Sequence, residues 1–177
     1  MEVTLYFKSV SGPLRPLLVA ASLLVPNGVE LTKAFGQGQT VDQHPDKQVI
    51  DRTLRVYMDA FMRGDISALA QHCTSPLIVF GGQGLRVLAG VADIEAFYAG
   101  ILRDLRERGY SHSLWSELHV KLLGQTAALV SGISVRYRLD GSELATTGLT
   151  FLLGRVDGEW KIVVLSGHPA SDVVRMD

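Results

Sequence analysis

The stretch LRVYMDAFMRGDISAL, residues 54–69, decides the fold of this chain. Its apolar side chains, among them Met58 and Phe61, recur at helical spacing opposite charged residues, which predicts a helix with one buried face. Gly64 can take the left-handed conformation that ends such a helix, and Asp65 can cap a second helix. The stretch therefore predicts two consecutive helices separated by an abrupt turn.

The chain continues with a hairpin and a third helix. Two short apolar runs, residues 77–80 and 85–88, flank a glycine-rich connection at residues 81–84, which is typical of a β-hairpin. A third helical pattern then covers residues 91–108 and stops at Gly109. These predictions complete an N-terminal half that contains three helices.

The rest of the domain is predicted to be strand. Residues 110–123, 126–139, 147–156 and 160–166 are separated by turn-forming residues. Consecutive strands joined by short turns form an antiparallel meander. We therefore expect a cone-shaped α+β fold, in which three N-terminal helices pack on the concave face of a curved, mainly antiparallel β-sheet.

A pocket is expected between the first helix and the sheet. Successive side chains of a strand point to opposite faces, and in residues 126–139 the side that contains Ile133 and Tyr137 is expected to face the helices. There Tyr57 either donates a hydrogen bond to a ligand oxygen or packs in the core with its hydroxyl paired. The residues predicted to line this pocket are Tyr57, Phe61, Ser131, Ile133, Val135, Tyr137, Thr147, Leu149 and Phe151.

A second group of residues is expected on the outer surface or at a dimer interface. The first long strand alternates leucines with polar and aromatic residues, and the leucine side is predicted to face the core. The resulting surface or interface candidates are Trp115, Glu117, His119, Arg136 and Arg138. For the two arginines, contact with an anionic ligand is the alternative to a dimer interface. Glu117 and His119 supply too few ligands for a zinc site, which needs three or four. We expect no metal and no cofactor.

Composition excludes some classes of partner. The 177 residues include 17 Lys and Arg against 18 Asp and Glu, for a net charge of −1. No basic stripe with interleaved aromatic residues occurs, so nucleic acid is not an expected partner. Cys73 is the only cysteine, which precludes an internal disulfide and is typical of a small buried apolar residue.

The first 45 residues are expected to be an extension and linker ahead of a folded domain at residues 46–170, which a tail at residues 171–177 follows. The apolar run at residues 17–25 resembles a signal peptide but is too short for a stable membrane span, which needs roughly 20 residues. The extension is a cleaved signal, an upstream start that is not used, or a real N-terminal arm. We expect a cytoplasmic protein, or an exported one if the segment before Gln37 is cleaved.

The segments YMDAFMRGDISALAQHC, GVADIEAFYAGIL and GEWKIVVLSGH, in this order, resemble the nuclear transport factor two-like superfamily. That superfamily includes ketosteroid isomerases and SnoaL-like polyketide cyclases. The segments RGYSHS, YRLDGSEL and TGLTFLL are most similar to an uncharacterised branch of it. The resemblance covers residues 46–169 and implies the cone-shaped fold, whereas a shared fold does not by itself imply a shared function.

The resemblance allows a comparison with ketosteroid isomerases, which use a tyrosine, a carboxylate base and a protonated carboxylic acid. Tyr57 matches the tyrosine. The base position falls near Gly81 and the acid position falls within residues 151–153, so both carboxylates are missing. Proton transfer needs a titratable group within reach of the substrate, so an isomerase of this type is not expected. Whether the protein is an enzyme stays open.

Two hypotheses about function follow. In the first, the pocket binds a small, mostly apolar molecule, with or without a weak activity of the isomerase, cyclase or lyase type. In the second, the protein is a non-catalytic homodimerisation or protein-interaction module, because isologous pairing is the commonest mode of oligomerisation. A homodimer is expected in both cases.

Overall fold

The computed structural model describes residues 44–176 of the chain. The predicted extension at residues 1–45, with its signal-like run, lies outside the described residues except for its last two positions. No helix in the described part of the chain has the length and apolar character that crossing a membrane requires.

Three helices form the N-terminal half of the domain, and local capping sets their ends. Helix α1 covers Pro45–Arg63 and ends at Gly64, whose φ of 70° is left-handed and whose N–H donates to Phe61 O at 3.1 Å. Helix α2 covers Ile66–Gln71, and the Asp65 carboxylate accepts a hydrogen bond at 3.0 Å from a backbone N–H in its first turn. Helix α3 covers Val91–Glu107.

Six strands form one sheet in the order β2-β1-β6-β5-β4-β3. Strands β1 and β6 pair in parallel, and every other neighbouring pair is antiparallel. A short 3₁₀ helix, Ala170–Asp172, follows the last strand. The strands are β1 (Cys73–Gly81), β2 (Gly84–Leu88), β3 (Tyr110–Leu122), β4 (Ala127–Arg138), β5 (Glu143–Val156) and β6 (Glu159–His168).

The core lies where the helices cover the concave face of the sheet. Tyr57 of α1 packs edge-to-face against Phe151 of β5, with ring centroids 6.0 Å apart, and Phe151 is fully buried. Tyr98 of α3 approaches the same tyrosine at 6.1 Å. This packing of three helices on a curved, mainly antiparallel sheet confirms the predicted α+β fold.

The predicted orientation of β4 is wrong. Val130 is fully buried and pairs with Phe151, while Ser134 and Arg136 line cavities beneath the helices. The concave face therefore carries the even-numbered residues of β4, and Ile133 and its odd-numbered neighbours lie on the convex face. The predicted alternation of the two faces is present, but the wrong face was assigned to the core. The amount of apolar surface on each side of a strand does not identify the core face when both faces are partly covered.

A β-bulge divides strand β3 between the two faces. Trp115 pairs with Ser134 and Glu117 pairs with Ile133, so Ser116 is an extra residue. Trp115 consequently packs on the concave face, 6.2 Å from the Phe151 ring. Glu117 points to the convex face instead. The bulge is the reason that the predicted shared face of Trp115, Glu117 and His119 does not exist.

The C-terminal residues cover part of the convex face. The N–H of Val174 donates to Ser131 Oγ at 3.0 Å, and Arg175 forms an ion pair with Glu117 at 2.7 Å. Ser131 is fully buried as a result. This cover explains how a polar side chain is buried on the face of the sheet that the helices do not touch.

Candidate functional site

An open cleft of about 860 Å³ lies between the β1–β2 hairpin and helix α3. The hairpin contributes Gly81 and its neighbours, and α3 contributes Phe97 and Gly100. Arg86 of β2 lies over the Phe97 ring, with its guanidinium carbon 5.5 Å from the ring centroid. The cleft is within the size range of small-molecule sites in proteins, about 300–1,000 Å³.

The cleft continues towards the core as a much smaller pocket of about 60 Å³. Tyr57, Phe61 and Tyr98 form part of its wall. The cleft and this inner pocket share four lining residues, which are Ile101, Arg136, Leu149 and Leu165. We therefore treat the cleft and the inner pocket as one site with an outer and an inner part.

Arg136 is the charged residue where the two parts meet. Its Nε atom is buried and has no hydrogen-bond partner among residues 44–176. Burial lowers the pKa of this guanidinium from its ordinary value, while the nearby hydroxyls of Tyr110 and Tyr57 oppose that change. The inner end of the site is thus cationic, although most of its walls are apolar.

Several hydroxyl side chains share the concave face with Arg136. Ser113 lies opposite Arg136 in the β3–β4 register, and its Oγ is 2.8 Å from the Tyr110 hydroxyl. Ser134 lies two residues before Arg136 and so on the same face of β4, and Thr147 of β5 lies opposite Ser134. Ser113 and Ser134 line the inner pocket and Thr147 lines the outer cleft.

A chain of buried hydroxyl and thiol groups begins at the wall of the inner pocket. The Tyr57 hydroxyl donates to the Tyr98 hydroxyl at 3.2 Å, and Cys73 Sγ lies 3.5 Å from the same Tyr98 oxygen. Burial raises the pKa of both tyrosines well above the ordinary value, so both phenols stay neutral. Of the two roles weighed for Tyr57, the structure supports core packing with a paired hydroxyl.

The same burial should make Cys73 chemically inert in the folded protein. It raises the pKa of the thiol from 9.0 to about 11, which lowers the reactive thiolate fraction by about 100-fold at mildly alkaline pH. We expect a disulfide reagent to label the native protein at least about 100-fold more slowly than the urea-unfolded chain. Equal rates in the two states would contradict this. Because the chain has one cysteine, all of the measured labelling comes from Cys73.

Five of the predicted pocket residues lie on the cavity side of the sheet. Tyr57, Phe61 and Leu149 line the inner pocket, Thr147 lines the outer cleft, and Phe151 is buried beside Tyr57. The remaining four occupy the convex face, for the reason given for β4. They are Ser131, Ile133, Val135 and Tyr137.

The predicted surface group also divides. The prediction for Trp115 and Arg136 is wrong, because both side chains lie on the concave face. Glu117 and His119 are on the convex face, 3.1 Å apart, with about a quarter of each side chain exposed. Arg138 donates to Glu143 O at 2.8 Å and braces the β4–β5 turn. No group of three or more potential metal ligands occurs in the part of the chain that the structure describes.

Arg136, Ser113, Ser134 and the Phe97–Tyr98 pair were not predicted from the sequence to line the site. The strongest available signal was a polar sequence within a buried strand. Gly132, Ser134 and Arg136 alternate with larger apolar residues in β4, and a small-polar face opposite an apolar face is also typical of a strand that lines a cavity. The two tyrosines of α3 and α1 meet only in the folded chain.

On the convex face a separate hydrogen-bond chain ties the end of β6 to the sheet. His168 Nε2 lies 2.8 Å from Thr150 Oγ1, which lies 2.9 Å from Ser131 Oγ. His168 Nδ1 lies 2.9 Å from Pro169 O. His168 therefore has both ring nitrogens engaged and does not face the cleft.

Comparison with known proteins identifies relatives by sequence and by fold. A family described as NTF2-like protein (DUF6841) matches residues 46–170. No curated protein matches the chain. An NTF2-like protein of unknown function from Shewanella oneidensis MR-1 is 23% identical with a TM-score of 0.57, and the match covers 69% of this chain and 98% of that one.

Two further solved structures have the same fold at lower identity. An NTF2-like protein with a cystatin-like fold from Novosphingobium aromaticivorans is 20% identical with a TM-score of 0.59, covering 70% of this chain and 80% of that one. Aln2 from a Streptomyces species is 15% identical with a TM-score of 0.60, covering 72% of this chain and 92% of that one. Likenesses at these identities show the fold alone.

Proposed function

Because this chain belongs to the family of NTF2-like proteins described as DUF6841, we propose that its cleft binds a small, mostly apolar molecule. The observation that carries the proposal is the size and continuity of the site. An outer cleft of about 860 Å³ continues into a pocket between α1, α3 and the sheet. Apolar walls with a few convergent polar groups are the usual make-up of ligand sites.

Binding is better supported than catalysis. Burial keeps the pKa of Tyr57 and Cys73 raised, so neither supplies a base near neutral pH. The carboxylates of the described lining are Asp93 and Asp104. Asp93 accepts a hydrogen bond from Gly90 N at 3.1 Å, which stabilises the start of α3. An isomerase, cyclase or lyase activity would therefore depend on Asp104 or on a group of the substrate.

Gly100 offers a direct test of the cleft. It lines the cleft, and a Cβ at this position would meet no atom within 4 Å. We expect Gly100→Trp to fill the cleft and abolish binding of the neutral apolar dye Nile red. The matched variant Gly100→Ala should keep the binding and stabilise α3 by about 0.5–1 kcal/mol.

The readout is dye fluorescence in titrations of the three proteins, with melting curves to show that each is folded. Equal binding to wild type and to a folded Gly100→Trp would place the dye elsewhere and count against the cleft. Native mass spectrometry of protein from its own host would then look for a retained small molecule that is released on denaturation.

A second candidate function, homodimerisation, is favoured by the convex face. Leu114 there is 54% exposed, and Val135 and Tyr137 are only half-buried. A centre of apolar and aromatic side chains with polar residues around it is typical of dimer interfaces. We expect Val135→Glu to convert a dimer into a monomer in sedimentation velocity, whereas Val56→Glu on α1 should not. A wild-type monomer would remove this candidate.

We also propose a cytoplasmic location. The support is in the sequence alone, because the signal-like run at residues 17–25 is preceded by prolines and separated from the small residues at 34–36. Cell fractionation and the mass of the mature chain test it. Loss of the residues before Gln37 would favour export.

A further inference from the structure

The charge of Arg136 has no acidic partner among the residues that the structure describes. No carboxylate oxygen of residues 44–176 lies within 4.0 Å of its guanidinium nitrogens. Its Nε is buried without a hydrogen-bond partner in the same range. The residue as a whole is half-buried, and a charge in such a position is costly to the folded protein unless something pairs with it. Contacts within residues 44–176 do not explain why an arginine occupies this position.

The acidic groups of the cleft do not neutralise Arg136. Asp93 is engaged by Gly90 N at 3.1 Å. Asp104 lies 3.5 Å from Arg103, and both of these side chains are more than two-thirds exposed. The only other charged residue lining the cleft, among those described, is Arg86, which has the same sign as Arg136. Among the described residues, therefore, no negative charge balances Arg136 at the inner end of the site.

The groups around Arg136 are hydrogen-bond donors of the kind that an anion needs. Ser113 and Ser134 are almost fully buried, yet both line the inner pocket. Thr147 adds a third hydroxyl at the junction with the outer cleft. A planar guanidinium presents paired N–H donors whose spacing matches the two oxygens of a carboxylate. One cation with neutral hydroxyls matches a monoanion.

We propose that the ligand of this site is an organic monocarboxylic acid, whose carboxylate pairs with Arg136 and whose apolar body lies along Phe97, Ile101 and Leu149 in the cleft. This inference rests on the proposed function, because it specifies the class of molecule that the cleft binds. The anion supplies the partner that Arg136 lacks, and the apolar walls receive the remainder of the ligand.

The test uses matched pairs of phenylalkanoic and naphthylalkanoic acids and their primary amides, measured by displacement of Nile red and by calorimetry. Wild type should bind the acids about 10- to 100-fold more tightly than the amides, which is the usual contribution of a charged hydrogen-bonded pair. Arg136→Gln should lose that preference and keep its affinity for the amides. Arg136→Lys, which keeps the charge but not the planar fork, should lie between.

The control Arg52→Gln removes the same charge from an exposed position of α1 and should leave the preference intact. Arg136→Gln should also melt no lower than wild type without ligand, because it removes an unpaired charge. If acids and amides bound wild type equally, the proposal of a carboxylate ligand would be wrong, whereas the proposal that the cleft binds an apolar molecule would still hold. If matched phosphonates bound more tightly than the acids, the proposal that the ligand carries a single negative charge would be wrong. Failure of every acid and amide to bind would count against both proposals.

Discussion

Phe151→Ala should destabilise the domain by about 3–5 kcal/mol, the range for truncating a buried aromatic residue. Phe151 is fully buried, and its ring meets Tyr57 at 6.0 Å and Trp115 at 6.2 Å. Alanine leaves a cavity where α1 meets the middle of the sheet, and neither a helix nor a strand can move in to fill it without breaking its other contacts. Domains are stable by only about 5–15 kcal/mol, so the variant should approach the limit of folding.

Urea unfolding followed by tryptophan fluorescence measures this loss, since Trp115 is a direct neighbour of the substituted ring. The matched control is Phe80→Ala. Phe80 is 46% exposed on β1, so its truncation should cost at most about 1 kcal/mol. If both variants lost similar amounts, Phe151 would not be the centre of the core that its burial indicates.

The second large effect is expected at Gly132, where β3 and β4 approach closely. A Cβ added there would lie 2.5 Å from Glu117 O and 2.8 Å from Leu118 Cδ1. The first of these atoms belongs to the backbone, so the two strands must separate to admit even a methyl group. We expect Gly132→Ala to destabilise the protein by about 1–3 kcal/mol and Gly132→Val by more.

Gly167→Ala is the control, because a Cβ at that position would meet no atom within 4 Å. It should unfold at a urea concentration close to that of wild type. Gly132→Ala should also alter the fluorescence of Trp115, which pairs with the residue two positions along the same strand. A Gly132→Ala protein as stable as Gly167→Ala would show that the sheet relaxes without cost.

The helices and strands could be predicted because their signals are local. The left-handed Gly64, the Asp65 cap and the two-residue alternation of the strands depend on residues that are neighbours in sequence. The parallel contact between β1 and β6 is not local, and it was not predicted from the sequence. That contact brings the β1–β2 hairpin next to the sheet and so forms one wall of the cleft.

The candidate site was predicted only in part, because its orientation depends on one bulge and on what covers the back of the sheet. Ser116 reverses the alternation of β3, and no local signal marks it. The C-terminal residues bury Ser131 on the convex face, so burial of a side chain does not by itself identify the face that the helices cover. Because β4 presents its even-numbered side chains to the concave face, Arg136 lies at the inner end of the cleft and not on the outer surface where it was predicted.

The bulge at Ser116 also determines which kinds of genetic change this protein can accept. Ser116 is exposed, so many substitutions there should be neutral. Deleting it would restore a strict alternation, and every residue on one side of the deletion would exchange inside for outside. Point mutation can therefore alter the candidate site gradually, whereas a single-codon deletion in this strand would exchange the concave and convex side chains of part of β3 in one step.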